Sequence, residues 1–325
     1  MIKISLGQSA ILLISVIAET GTVLGLTQSL RRIRPKNLAK SLTKSLTKRQ
    51  TIRQRTLLIY YHRLPQKDKL PMNKPADYRE FSCKQCLESR DLGFDFTMAF
   101  QPIVRCASQQ IFGYEALVRG PQNQSAFSVI SQVNDDNRYR FDQLCRIKAI
   151  ALAAKLKITS MVSINFLPNA VYRPERCIRT TIEAAQAYHF PIEQIMFEFT
   201  EVEKLRENQH IKHIVEYYKN LGFKTAVDDF GSGYSGLNLL ADFQTDIAKL
   251  DMELIRHIDR DPVRQIIIKN CLAMFKDLNI TPLAEGIESR EEMQFLRDLG
   301  VDLMQGYYFA KPGFESLPEV DFSGL

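Results

Sequence analysis

Between Met161 and Phe309, apolar runs of about five to seven residues alternate with segments whose apolar residues recur at helical spacing. Most of these runs end on a carboxylate, an amide or a lysine. The steps are 50 residues from Glu115 to Asn165, 33 to Glu198, 30 to Asp228, 21 to Lys249 and 36 to Glu285. A strand, a helix and their two loops fill steps of about this size, which points to a parallel α/β fold. Near eight strands in about 230 residues favours a closed barrel over an open sheet. In such a barrel the C-terminal strand ends converge on one mouth, so residues far apart in sequence become neighbours there.

The spacing predicts individual elements. Thr97–Val104 and Ile111–Arg119 read as two strands around a turn, and Gln122–Arg140 as a polar loop. Asp142–Lys157 reads as a helix, with Asp142 a candidate cap. Strands follow at Met161–Phe166, Gln194–Thr200, Lys224–Asp228, Ile247–Asp251 and Thr281–Glu285, and Leu303–Phe309 closes the series. The helices between them are Arg176–Tyr188, Gln209–Leu221 ending at Gly222, Pro262–Leu278, and Arg290–Leu299 ending at Gly300.

Charge divides the 325 residues unevenly. Residues 1–70 hold 14 Lys and Arg against only Glu19 and Asp68, a balance of +12, so the remainder carries −6 within the total of +6. The apolar stretch Ala10–Ala18 is short for a spanning helix, and Glu19 interrupts it. We therefore read residues 1–70 as an extension, weakly hydrophobic and then basic, either disordered or helical at a membrane surface. If it spans the inner membrane, its Lys and Arg keep the remainder cytoplasmic. With only Tyr60 and Tyr61 as aromatics after residue 30 and no recognisable motif, the arm makes a poor nucleic-acid binder. A translation start at Met72 would leave one barrel's length of chain. Residues 71–94 lead into a barrel spanning 95–318. The isolated Cys83-x-x-Cys86 lacks the two further ligands of a zinc site, and Cys106, Cys145, Cys177 and Cys271 read as buried free thiols.

Asp228 and Asp229 leave a strand side by side and enter a loop with three glycines. Burying adjacent like charges is costly unless a cation offsets them. Glu115, Asn165 and Glu198 add oxygen donors from other strands. Phe197 and Phe199 flank Glu198, so it points opposite to them. Lys249 lies among these acids, and Glu285 and Glu288 bracket Gly286-Ile287. Many oxygen donors with few histidines suit a hard cation such as Mg²⁺ or Mn²⁺. Gln305 is a candidate for hydrogen-bonding a base edge or a phosphate.

Taken together, Gln101-Pro-Ile-Val104, Glu115-Ala-Leu117 with Arg119, Ser163-Ile-Asn-Phe166, Phe197-Glu-Phe-Thr-Glu201, Asp228-Asp-Phe-Gly-Ser-Gly-Tyr234, Lys249-Leu-Asp251, Ala284-Glu-Gly-Ile-Glu288 and Gln305-Gly-Tyr-Tyr-Phe309 resemble the EAL family of cyclic-di-GMP phosphodiesterases. The resemblance covers about residues 95–315. It implies a TIM-type (β/α)8 barrel with its first strand antiparallel, and hydrolysis of cyclic-di-GMP to linear pGpG by two Mg²⁺ or Mn²⁺ ions, lowering the second messenger. It assigns Glu115, Asn165, Glu198 and Asp228 to one metal and Asp228 and Asp229 to the other, with Glu285 and Glu288 nearby, Glu288 counted among the metal residues and Glu285, Asp229 and Glu201 among the catalytic ones. It further assigns Lys249 to the attacking water, and Gln101, Leu117, Arg119 and Gln305 to the ligand. Glu201 would anchor the loop after Asp229, through which a homodimer is expected to form. The alternative is a catalytically silent relative that binds cyclic-di-GMP and signals through a protein partner. Gly120 departs from the pattern, since many relatives carry Trp there. No cyclase signature occurs, so no fused cyclase is expected.

Overall fold

The computed structural model describes residues 92–323, apart from 172, 201–207 and 234–235. The basic arm, Cys83, Cys86 and Glu201 lie outside the described residues.

Strand β1 (Thr97–Arg105) and strand β2 (Gln110–Arg119) form a hairpin. Gln109 supplies the turn with a left-handed φ of 53°. A turn this short joins only antiparallel neighbours, which fixes the direction of β1. After α1 (Ala126–Ile130) and α2 (Arg138–Lys155), the chain alternates through β3 (Met161–Asn165), α3 (Pro174–Ala187), β4 (Ile195–Thr200) and α4 (Asn208–Leu221). It continues through β5 (Lys224–Phe230), α5 (Gly236–Asp242), β6 (Ile247–Leu250), α6 (Met252–Ile255), α7 (Pro262–Asp277), β7 (Thr281–Ala284), α8 (Arg290–Asp298) and β8 (Leu303–Met304). Strands β2 to β8 pair in sequence order and in parallel, and β1 closes the ring against β2 and β8. The fold is a TIM-type barrel. Because β8 is short, a last strand, β9 (Gly313–Phe314), pairs with Ala99 and Phe100 and completes the mouth side of β1.

Alternation along the strands sorts side chains into two apolar compartments. Ile103, Met196, Ala226, Ile247, Leu283 and Leu303 pack on one another inside the barrel. The other set, including Phe100, Val162, Ile164, Phe197, Phe199, Val227 and Ala248, faces the surrounding helices. Gly222 and Gly300, at φ 104° and 90°, end α4 and α8 in the left-handed conformation that glycine adopts without penalty.

Four expectations are corrected. The stretch Gln122–Arg140 is not all loop: Ser125 caps the short α1 through Ser128 N, and α2 begins at Arg138. Asp142 is therefore no cap; it lies within α2 and is buried. The glycine-containing loop after β5 runs into a short helix, α5, too brief to show a helical period, and a second such helix, α6, follows β6. The final run is strand only at Leu303–Met304, because Phe309 N and Ala310 N turn back onto Gly306 O. Cys106, Cys145 and Cys177 are buried free thiols as expected, and Cys271 is half-buried. Burial lifts the Cys106 thiol to about 11, out of the reactive range.

Candidate active site

The barrel interior changes character in one step. Two residues toward the mouth from the apolar layer stand Gln101, Glu198, Asp228, Lys249, Glu285 and Gln305, on β1, β4, β5 and β6 and just past the ends of β7 and β8. Glu115 and Asn165 join them from β2 and β3. The period of two that makes the floor oily thus makes the next layer polar.

Lys249 is the hub, with its side chain 1% exposed. Its Nζ lies 2.8 Å from Asp228 Oδ1, 2.8 Å from Glu285 Oε1, 2.9 Å from Glu198 Oε2 and 3.7 Å from Glu115 Oε2. Burial alone would discharge such a lysine, but the carboxylates reverse that and hold it well above its ordinary range. The acids outnumber it. Burial, aided by the neighbouring carboxylates, outweighs the pull of Lys249 and leaves Glu285 raised well above its usual value. Burial likewise pushes Glu198 up to about 8 against the pull of Lys249. Asp229 rises to about 6, chiefly through burial and then through Asp228.

Asp228 and Asp229 are consecutive, and a regular strand would turn one of them outward. A bulge prevents this. Val227 pairs with Ala248 and Phe230 with Leu250, so two residues of β5 face the single Lys249. Asp229 takes φ 55°, a strained left-handed conformation that aspartate tolerates better than most residues. Its backbone N–H donates to Asp228 Oδ1 at 3.1 Å. The strand thus runs on to Phe230 rather than ending at Asp228.

Two sets of oxygens result, each within 4.8 Å of one another: Glu115, Glu198 and Asp228, and Asp228, Asp229 and Glu285. Asp228 belongs to both. Asn165 Nδ2 donates to Glu115 Oε1 at 2.9 Å, which leaves its carbonyl oxygen for another partner. Glu198 Oε1 is buried without a hydrogen-bond partner among the described residues. Gln305 Nε2 donates to Glu115 Oε2 at 2.7 Å and to Gln101 Oε1 at 3.3 Å, and Gln101 Nε2 donates to Ala310 O. Leu117 and Arg119 share the inward alternation of Glu115 on β2, and Arg119 Nη1 donates to Val118 O.

Glu288 stands apart. Arg256 engages both of its oxygens, at 2.6 and 2.8 Å, and it enters neither oxygen set. A guanidinium fork satisfies the Glu288 carboxylate at the exposed rim, apart from the two oxygen sets. Glu201 lies outside the described residues. At Gly120 an added Cβ would lie 2.2 Å from Gln124 Oε1, so the turn that replaces the Trp of the pattern closes onto a residue without a side chain.

Comparison with known proteins agrees with this architecture. Residues 88–312 match the EAL domain model. Two relatives from Escherichia coli K12 are the blue light- and temperature-regulated antirepressor BluF and the probable cyclic di-GMP phosphodiesterase PdeN. BluF is 30% identical over 246 residues, 75% of this chain and 60% of BluF. PdeN is 29% identical over 239 residues, 70% of this chain and 44% of PdeN. The chain thus spans less than two thirds of the length of either. A crystal structure of a standalone versatile EAL protein from Vibrio cholerae O395, in its c-di-GMP-bound form, is 71% identical with a TM-score of 0.70, covering 72% of this chain and 99% of that one. Klebsiella pneumoniae BlrP1, in a manganese and cy-diGMP complex, is 33% identical with a TM-score of 0.66, covering 69% and 58%.

Proposed function

Since the chain belongs to the EAL domain family, we propose that it hydrolyses cyclic-di-GMP to linear pGpG with a pair of Mg²⁺ or Mn²⁺ ions. The observation that carries this reading is the pair of oxygen sets sharing Asp228 at one buried mouth. The donor chemistry fits a hard divalent cation: all donors are oxygens, and Glu198 Oε1 is buried without a protein partner among the described residues. Glu115, Asn165, Glu198 and Asp228 would hold one ion, and Asp228 and Asp229, with Glu285 beside them, the other. When bound, such a pair supplies Lewis acidity for hydrolysis of a phosphodiester.

The chain's own residues do the rest. Lys249, charged and fixed by Asp228, Glu198 and Glu285, orients the attacking water and balances phosphate charge. Gln101, Leu117, Arg119 and Gln305 line the approach to the acids and meet the nucleotide, the glutamines with amide groups and Arg119 with its guanidinium. The nucleotide itself is supported by the bound ligand of the Vibrio cholerae relative, and manganese by the BlrP1 complex. A homodimer formed beside the loop after Asp229 belongs to the same reading. Exposed Leu237, Met252, Val263, Ile266 and Ile267 lie on α5, α6 and α7, the helices that follow β5 and β6. The 14 Lys and Arg of residues 1–70 suit an anionic membrane surface, with the barrel, residues 95–318, on the cytoplasmic side.

A second reading, a silent EAL protein acting through a partner, is favoured by one finding: BluF is an antirepressor. Turnover separates the two. The purified chain with Mg²⁺ or Mn²⁺ should convert cyclic-di-GMP to pGpG on a chromatographic assay. EDTA or Glu115→Ala should reduce conversion to background. Tight nucleotide binding without product would select the second reading.

A further inference from the structure

Behind β3 and β4, outside the barrel wall, lies a buried charge pair that the mouth does not use. Asp142 and Arg146 sit one turn apart on α2 with both side chains at 0% exposure, and Arg146 Nη2 lies 2.7 Å from Asp142 Oδ2. Arg146 Nη1 donates to Tyr218 Oη on α4 at 3.1 Å. The guanidinium carbon lies 5.4 Å from the Phe166 ring centroid and 5.0 Å from that of Phe197. The other oxygen of Asp142 accepts Leu167 N at 3.0 Å.

The addresses of these contacts matter. Phe166 follows Asn165 directly, and Phe197 directly precedes Glu198. Alternation sends both rings out toward Arg146 and both donor side chains into the mouth. Phe166 N donates to Glu198 O at 2.9 Å, so one backbone bond locks the two strand ends together. Asp142 then takes the next N–H but one from Asn165, where strand pairing has ceased. The guanidinium thus lies within cation–π range of both rings, on the outer face of the two strand ends. A buried ion pair is seldom worth more to stability than apolar residues of equal volume, so stability alone gives no reason for one here.

We infer that Asp142, Arg146 and Tyr218 are positioning residues that hold Asn165 and Glu198 at the angle a divalent cation requires. This rests on the reading of the mouth as a two-ion site. The test is calorimetric titration of Mn²⁺ into the metal-stripped full chain without nucleotide, beside thermal melts. The double variant Asp142→Leu/Arg146→Met removes both charges and leaves neither stranded, at the cost of an acceptor for Leu167 N, so it should still fold and melt at or somewhat below wild type. It should nevertheless bind one of the two ions about 10–100-fold more weakly and leave the other unchanged. Asp142→Asn/Arg146→Met restores an acceptor for Leu167 N and should recover part of the loss. Wild-type Mn²⁺ affinity in the first double variant overturns the inference, as does equal weakening of both ions. Should that variant fail to fold, Tyr218→Phe decides: a weaker ion with an unchanged circular dichroism spectrum supports the inference, and unchanged binding overturns it. A wild type that binds no Mn²⁺ sinks the two-ion reading itself, and the inference with it.

Discussion

Glu198 and Asp229 hold protons well above the acid range because burial disfavours their charged forms, at about 8 and about 6 against ordinary values of 4.5 and 3.8. In the unfolded chain both lose their protons near pH 4. Between there and pH 8 the folded state binds more protons than the unfolded one, so stability falls as pH rises through that window and levels off above it. The metal-stripped protein should therefore melt progressively lower from pH 5 to pH 8. Glu198→Gln should flatten that slope, and Mn²⁺, which binds the deprotonated donors, should stabilise most at the alkaline end. Differential scanning fluorimetry across this range checks it; a melting temperature that climbs with pH in the metal-free protein would refute the burial argument. Lys249 does not share the behaviour. Its raised value keeps it charged, so its contribution persists across the window.

At the scale of elements, α8 shows how the mouth loops are tied down. Ser289 and Glu292 form a reciprocal capping box at its start. Glu292 Oε2 accepts the backbone N–H groups of Glu288 and Ser289, and Oε1 accepts that of His257 beyond α6. One buried carboxylate thus joins the loop that carries Glu285 to the loop that follows β6. Ser289→Ala should cost about 1 kcal/mol of stability in urea unfolding. Glu292→Ala should cost more, about 2–4 kcal/mol, since it orphans three donors. It should also speed hydrogen exchange at His257, Glu288 and Ser289, and equal losses for the two substitutions would argue against a joint. The bulge in β5 is the other device at this scale. It places two consecutive acids at one mouth, which no regular strand can do.

Among the described residues, five of the eight exposed large apolar side chains, Leu237, Met252, Val263, Ile266 and Ile267, lie on α5, α6 and α7, and the proposed homodimer would form through them. Ile266→Lys should shift the protein toward monomer in light scattering, with the melting temperature little changed because Ile266 is exposed. An unchanged mass would place the contact elsewhere. No helix among the described residues is long and apolar enough to cross a membrane. With 14 Lys and Arg against two acids, residues 1–70 should be needed for pelleting with anionic vesicles but dispensable for turnover; a large rate loss on their removal would contradict that.

Periodicity alone was enough to read the alternating strands and helices, because a period of two and a period of 3.6 are local properties of the chain. Strand-end position marked Glu115, Asn165, Glu198, Asp228, Lys249 and Glu285, because a parallel barrel gathers those ends whatever the loops do. Tertiary structure decided what pairwise geometry controls. Arg256 takes Glu288 away from the acids, a choice between partners 32 positions apart. The bulge turns Asp229 inward, and packing makes Asp142 a buried partner of Arg146 rather than a helix cap. Local sequence encodes which face a side chain occupies. Which charge meets which is settled only when distant segments compete for the same few ångströms.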